Sequence, residues 1–172
     1  MKVVTMAAAS MPTDPSGETL DLFHQHGAAL YRFCRVTLGR ADEADDVVQE
    51  AFLKLLQHLE KHGDRSNLRA WLFTVAANAC RDRLRWRVRW LPWRVELDTR
   101  VVDAVDDRPD LRPARAALRA LAPRDRLLLT LRAQGLSYRE IASAAGIREA
   151  SVGRLLARAL ERWKRGVESR KR

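Results

Sequence analysis

Two sets of side chains in this 172-residue sequence have the types and spacing to do chemistry, and they carry opposite charge. The basic set is Arg148, Ser151, Arg154 and Arg158, whose steps of three and four residues place them on one side of a helix. Guanidinium and hydroxyl groups so arranged reach phosphates and base edges in a major groove. The residues around them supply a frame. Ser137 and Glu140 form an S-x-x-E capping box that opens a short helix. Ala142 is small enough for a second helix to approach, Gly146 suits a tight turn, and Ile147 plugs the corner. Val152, Leu155, Leu156 and Ala159 then face inward. This order and spacing predict a helix-turn-helix. An ordinary helical hairpin with a solvated basic face would show the arginines without the turn chemistry, so DNA is the expected partner.

The acidic set lies in ADEADDVVQEAFLKLLQHL, where Asp42, Asp46, Gln49, Glu50, Leu53 and Gln57 share the side opposite the apolar stripe. Such a face on a basic chain repels DNA. It predicts either a solvated surface or a protein-docking surface with exposed Leu53 at its centre. The carboxylates crowd near a helix start with no matching ligand group elsewhere, so no metal is expected. His58 and His62 stand four apart, as in a zinc protease motif, but Leu59 occupies the position where that motif needs glutamate. No phosphate-binding glycine loop and no nucleophile–base pair is present. The sequence therefore predicts no catalytic residues, no cofactor and no enzyme.

A third stretch, RDRLRWRVRW at 81–90, alternates like a strand and has the composition of a membrane-surface peptide. It also continues a helix. Nothing from Leu68 to Leu91 is glycine or proline, and Pro92 stops the element. Cys80, Leu84 and Val88 extend a buried stripe at four-residue steps. Arg81, Arg85 and Arg89 line the adjacent side, with Arg83 and Arg87 on the other flank. The helical reading makes these arginines candidates for phosphate contacts.

The elements that must hold these groups are helical throughout. Net charge of +10 favours a polyanionic partner, while 47% hydrophobic residues suffice for packed cores. No apolar run approaches the roughly 18 residues of a membrane span, so no membrane role is expected. MKVVTMAAAS only faintly imitates a secretion signal, since Thr5 interrupts it and Met6 and Met11 follow. A ragged start and a loose MPTDPSG segment are expected instead. Cys34 and Cys80 read as core thiols of a cytoplasmic protein. A first helix is predicted from about Glu18 to Leu38, ending near Gly39. A second is predicted to start with Asp42 as N-cap, and a third near Leu68 after a loop at Gly63 to Asn67. The segment LPWRVELDTRVVDAVDDRPDLRP, rich in proline and acid, reads as a linker. Helical patterning resumes at Ala114, and Pro123 and Gly135 bracket another helix. The expected fold class is all-α, with two small helical domains joined by an acidic linker.

Together ADDVVQEAFLKL, NLRAWLFTVAANACRDRLR and GLSYREIASAAGIREASV resemble the extracytoplasmic-function (ECF) group of bacterial sigma factors, the small two-domain branch of the sigma-70 family. The resemblance covers about residues 18 to 90 and 113 to 165. It implies a disordered N-terminus at 1–17, a region 2 domain at 18–90 and a linker at 91–113. A region 4 domain at 114–165 and a basic tail at 166–172 complete that division. It further implies that Asp46, Gln49, Glu50 and Leu53 dock on the clamp helices of RNA polymerase core. The 63–70 loop with Asn78 would engage the −10 element of promoter DNA and hold a flipped base. Arg81, Arg85 and Arg89 would track the DNA backbone, while Arg148, Ser151, Arg154 and Arg158 would meet the −35 element. The linker would pass near the polymerase active centre, its acids mimicking RNA charge. An anti-sigma factor is a family expectation. The sequence departs from the family at Gly153 and Leu155, where basic residues are common, and at Arg148, where serine often caps the helix. The competing expectation is a helix-turn-helix regulator of another class, with an N-terminal dimerisation or sensor domain.

Overall fold

The computed structural model describes residues 14–61, 63–90 and 109–170. Its regular elements among those residues are seven α-helices and one 3-10 turn. Helices α1 (Pro15–Leu38), α2 (Ala41–Glu60) and α3 (Leu68–Trp90) form one sub-bundle. After the 3-10 turn Pro109–Leu111, helices α4 (Arg112–Arg119), α5 (Pro123–Ala133), α6 (Tyr138–Ala145) and α7 (Glu149–Glu168) form the second. The all-α expectation with two helical units holds.

Local chemistry explains the helix ends, including those that differ from the sequence reading. α1 begins at Pro15, earlier than expected, because the Asp14 carboxylate accepts from the backbone N–H groups of Ser16 and Gly17. Pro15 at the first helical position has no N–H to leave unpaired. Asp42 is not the N-cap of α2; Arg40 occupies that place without a side-chain cap. Asp42 instead sits in the first turn, in the positive field of the helix N-terminus. Its ion pair with Arg40 at 2.6 Å helps hold its carboxyl down to about 2. α7 runs on to Glu168, so the basic tail expected from 166 is still helical there.

The first sub-bundle closes around Leu30, Cys34 and Leu38 of α1, Val47, Ala51 and Leu55 of α2, and Leu72, Phe73, Ala76 and Cys80 of α3. All but Phe33 and a few rim residues there are entirely out of solvent, and Phe33 meets Phe73 edge-on at 5.5 Å. Each such leucine contributes about 1.5–3 kcal/mol of burial. Both cysteines are free and buried, as expected. A hydrogen bond with the Cys34 thiol, together with burial, pushes the Cys80 thiol well above its ordinary range, which keeps it inert.

The second sub-bundle is the helix-turn-helix. The capping box is complete: the Glu140 backbone N–H donates to Ser137 Oγ, and Ser137 N–H donates to Glu140 Oε2 at 2.7 Å. α6 ends in a Schellman turn, with Ile147 N–H bonded to Ala142 O and Gly146 N–H to Ser143 O. That turn requires Gly146 at φ +64°. Replacing it with alanine is expected to cost about 1–2 kcal/mol through left-handed strain, lowering the melting midpoint by a few degrees in thermal unfolding. An unchanged midpoint would show that the turn relaxes without cost.

Candidate partner and nucleic-acid faces

α2 turns its acidic side outward. Asp46 and Gln49 are exposed, Glu50 is half-buried, and Leu53 is 62% exposed, an unusual value for leucine inside an amphipathic helix. Glu50 is already engaged, since Lys54 Nζ lies 2.6 Å from Oε1 and Arg83 Nη1 lies 3.3 Å from Oε2. The Lys54 bond above all holds its carboxyl below the usual range.

The arginines of α3 do three different things. The 81–90 stretch is helical to Trp90, so the strand reading fails. Arg87 is buried, donating to the Leu38 carbonyl at 2.9 Å and pairing with Glu43. Arg83 reaches Glu50. These two flank arginines therefore tie α3 to the rest of the first sub-bundle, Arg87 in its interior and Arg83 at its surface. Arg85 is exposed beside Trp86, which is 59% exposed. Arg81 turns toward the other sub-bundle, donating to Ala144 O at 3.1 Å and to Asn78 Oδ1 at 2.9 Å. The side chains of Val88 and Arg89 lie outside the described residues, as does His62. His58 stacks on Trp71 at 4.8 Å and bonds the Asp64 carbonyl, a structural role. Among the described residues no group of His, Cys, Asp and Glu could hold a metal.

At the N-cap and along the first half of α7, Arg148, Arg154 and Arg158 are exposed and Ser151 is half-buried, while Val152, Leu156 and Ala159 are buried. Sequence reasoning missed Tyr138. Its ring lies against Gly153, where a Cβ would stand 3.4 Å from the ring edge. The Arg132 guanidinium lies 5.6 Å from the ring centroid. The glycine thus makes room for an aromatic ring beside the basic face, and the signal was the absent side chain at 153.

The Sigma-70 region 2 family matches residues 22–89, and the Sigma-70 region 4 family matches residues 111–162. The chain is 32% identical to the ECF RNA polymerase sigma factor SigM of Mycobacterium tuberculosis over 84% of its own length and 74% of that protein. It is 33% identical to ECF sigma factor EcfG of Rhodopseudomonas palustris, over 69% of the chain and 67% of that protein. The chain belongs to the ECF sigma factors of the sigma-70 family. A stronger local match, 46% identity to SigL of Mycobacterium tuberculosis, covers 37% of each chain.

The architecture of this sigma factor is similar to that of the sigma factor RpoE solved with the anti-sigma factor NepR of Bartonella quintana. That likeness has a TM-score of 0.68 and 26% identity over 89% of the chain and 98% of that structure. CnrH, solved with the cytosolic domain of CnrY, gives a TM-score of 0.63 with 25% identity over 91% of the chain and 94% of that structure. No described helix of the sigma factor is long and apolar enough to cross a membrane.

The two sub-bundles meet along a seam in which α6 packs on α3 and α5 packs on α1 and α3. Asn67 is its hub. Its Oδ1 accepts from Ala70 N–H at the start of α3, and its Nδ2 donates to Glu140 Oε1 at 2.7 Å. Two helix N-termini, 73 residues apart in sequence, are thereby joined through their own capping groups. Arg69 donates to the Gln134 carbonyl beside them. The structure thus gathers Asn78 and Arg81 at the seam and leaves the α2 face and the α7 arginines outside it.

Proposed function

We propose that this chain is an alternative sigma subunit that binds RNA polymerase core and directs initiation at a subset of promoters. The observation that carries the reading is the pairing, in one chain of this family, of an outward acidic α2 face with a basic helix-turn-helix. In this reading residues 18–90 dock on core through Asp46, Gln49, Glu50 and Leu53 and read the −10 element through Asn78. Arg81, Arg85 and Arg89 neutralise backbone phosphates there. Residues 114–165 meet the −35 element through Arg148, Ser151, Arg154 and Arg158. The acidic linker, expected over 91–113 but giving way to the 3-10 turn at Pro109 and to α4 at Arg112, passes along the polymerase between them. An anti-sigma factor belongs to the proposal, since the similar RpoE was solved with the anti-sigma factor NepR.

The chemistry needed is binding and not bond-making. Phosphate contacts set register, base contacts set choice, and a flipped base needs a pocket to offset lost stacking. Run-off transcription with purified core polymerase and a promoter library tests the reading. The chain is expected to convert core from non-specific to promoter-selective initiation. A chain that binds promoter fragments but leaves core unselective would return it to the simple DNA-binding regulators.

A further inference from the structure

We infer that Tyr138 sets part of the −35 preference of this sigma factor, its ring standing in for the side chain that Gly153 lacks and meeting the methyl group of a thymine. The inference rests on the proposed −35 role of α7 and adds a residue from the neighbouring helix that sorts sequences.

The turn puts an aromatic residue where packing does not need one. Tyr138 is the first residue of α6, directly after the Ser137 cap, and it is 45% exposed. It lies outside the packed cluster that takes in Ile141, Ala142, Ala144 and Val152. Burial therefore does not account for the ring, yet the ring is held on two sides. Toward α7, a Cβ on Gly153 would stand 3.4 Å from Tyr138 Cε2 and 3.9 Å from its hydroxyl oxygen. Toward α5, the Arg132 guanidinium lies 5.6 Å from the ring centroid. That guanidinium is itself fixed, because Arg132 Nη1 donates to the Leu136 carbonyl at 3.1 Å. A cation so placed attracts the aromatic face. A ring pinned in this way gives up little freedom when a ligand meets it.

Gly153 completes the argument from the other helix. Glycine inside a helix costs stability relative to alanine, so α7 gains nothing locally from it. Gly153 stands between Ser151 and Arg154, inside the run proposed to face DNA, and a long side chain there would have to share space with the Tyr138 ring. The exchange changes the chemistry offered to the groove. An arginine or lysine favours the acceptors of guanine, whereas an apolar side chain favours the thymine methyl. Arg132 is exposed beside the ring and keeps that edge positive for phosphates. The site thus combines a fixed apolar ring for a base with flanking cations for the backbone.

The test selects duplexes randomised across the −35 element with the full-length chain, alone and with polymerase core. The natural chain is expected to prefer thymine at one position by roughly tenfold. Tyr138→Ala should cut that preference to within about twofold and leave the preferences at other positions in place. Tyr138→Phe keeps the ring and should retain it. Gly153→Arg brings a side chain that must displace the ring, and should move the preference at that position toward guanine. Replacing the selected thymine with uracil removes the methyl group alone. It should weaken the natural chain severalfold and Tyr138→Ala no further. Because this last change alters no protein atom, a folding defect cannot imitate it, and circular dichroism verifies each variant. Equal loss on uracil in the natural and Tyr138→Ala chains, or a selected profile unmoved by Tyr138→Ala, overturns the inference while the −35 reading stands. A natural chain that selects no sequence, alone or with core, overturns the −35 reading and the inference with it.

Discussion

Reversing Asp46 and Glu50 to arginine is expected to abolish capture of polymerase core by a chain that remains folded. Both residues lie on the solvent side of α2, flanking exposed Leu53, and the stripe opposite them is the packed core of the first sub-bundle. Truncating a hot-spot contact costs about 2 kcal/mol or more, and reversal adds repulsion against a basic partner face. Two such sites together correspond to at least roughly a thousandfold loss in affinity. The structure adds a necessary control. A cation at position 50 would face Lys54 and Arg83, which now bind the Glu50 carboxylate. Glu50→Gln removes that charge without placing three cations together, and Asp46→Arg alone leaves the network untouched. The Lys54 bond, with Arg83, depresses the folded-state pKa of Glu50. Its contribution to stability is therefore present above the unfolded carboxyl value and lost as pH falls through the lower folded value. At neutral pH the Glu50 carboxylate is ionised, and binding measured there reports charge recognition. Equal core affinity in natural and doubly reversed chains, with matching circular dichroism, would remove this face from the proposal.

Much of the fold was legible because local signals agreed with one another. The α6 capping box, the left-handed Gly146 and the inward Val152, Leu156 and Ala159 each specify the same hairpin, so the helix-turn-helix could be drawn from spacing alone. The start of α1 was misplaced although Asp14 and Pro15 carry a cap signature, because the surrounding Met-Pro-Thr and Ser-Gly pulled the reading toward a loop. At α2 the error ran the other way. Asp42 is a good capping type, but it lies where the helix field favours acids just inside the first turn.

The division of labour among the α3 arginines was not legible. Periodicity puts Arg83 and Arg87 on a flank, but only the packed structure supplies Glu50 and Glu43 as their partners from α2. Arg81 and Arg85 read alike in the sequence, yet one is held by α6 and the other is exposed. Interdomain contacts such as Asn67 to Glu140 have no local period at all. For the same reason the sequence does not single out Arg35 and Arg126, which are among the largest fully buried side chains described.

Replacing Asn78 with alanine should impair promoter opening far more than initial duplex binding, and the seam makes the direction of this effect informative. Asn78 Oδ1 accepts from Arg81 Nη2 at 2.9 Å, while Arg81 Nη1 holds the Ala144 carbonyl at 3.1 Å. Loss of the amide frees one end of that guanidinium and loosens the seam between the two sub-bundles. If Asn78 served only the seam, the variant would open promoters as readily as the natural chain or more so. If it serves the flipped base, a pocket that offsets a few kcal/mol of unstacking is gone. Opening should then fall on the order of a hundredfold, with duplex binding within about threefold. Permanganate reactivity of unpaired thymines across the promoter bubble reads the first, and mobility shift of the closed complex reads the second. The two roles predict opposite signs, so a fall in opening despite a weakened seam assigns Asn78 to the base. Unchanged or faster opening confines it to the contact between the domains.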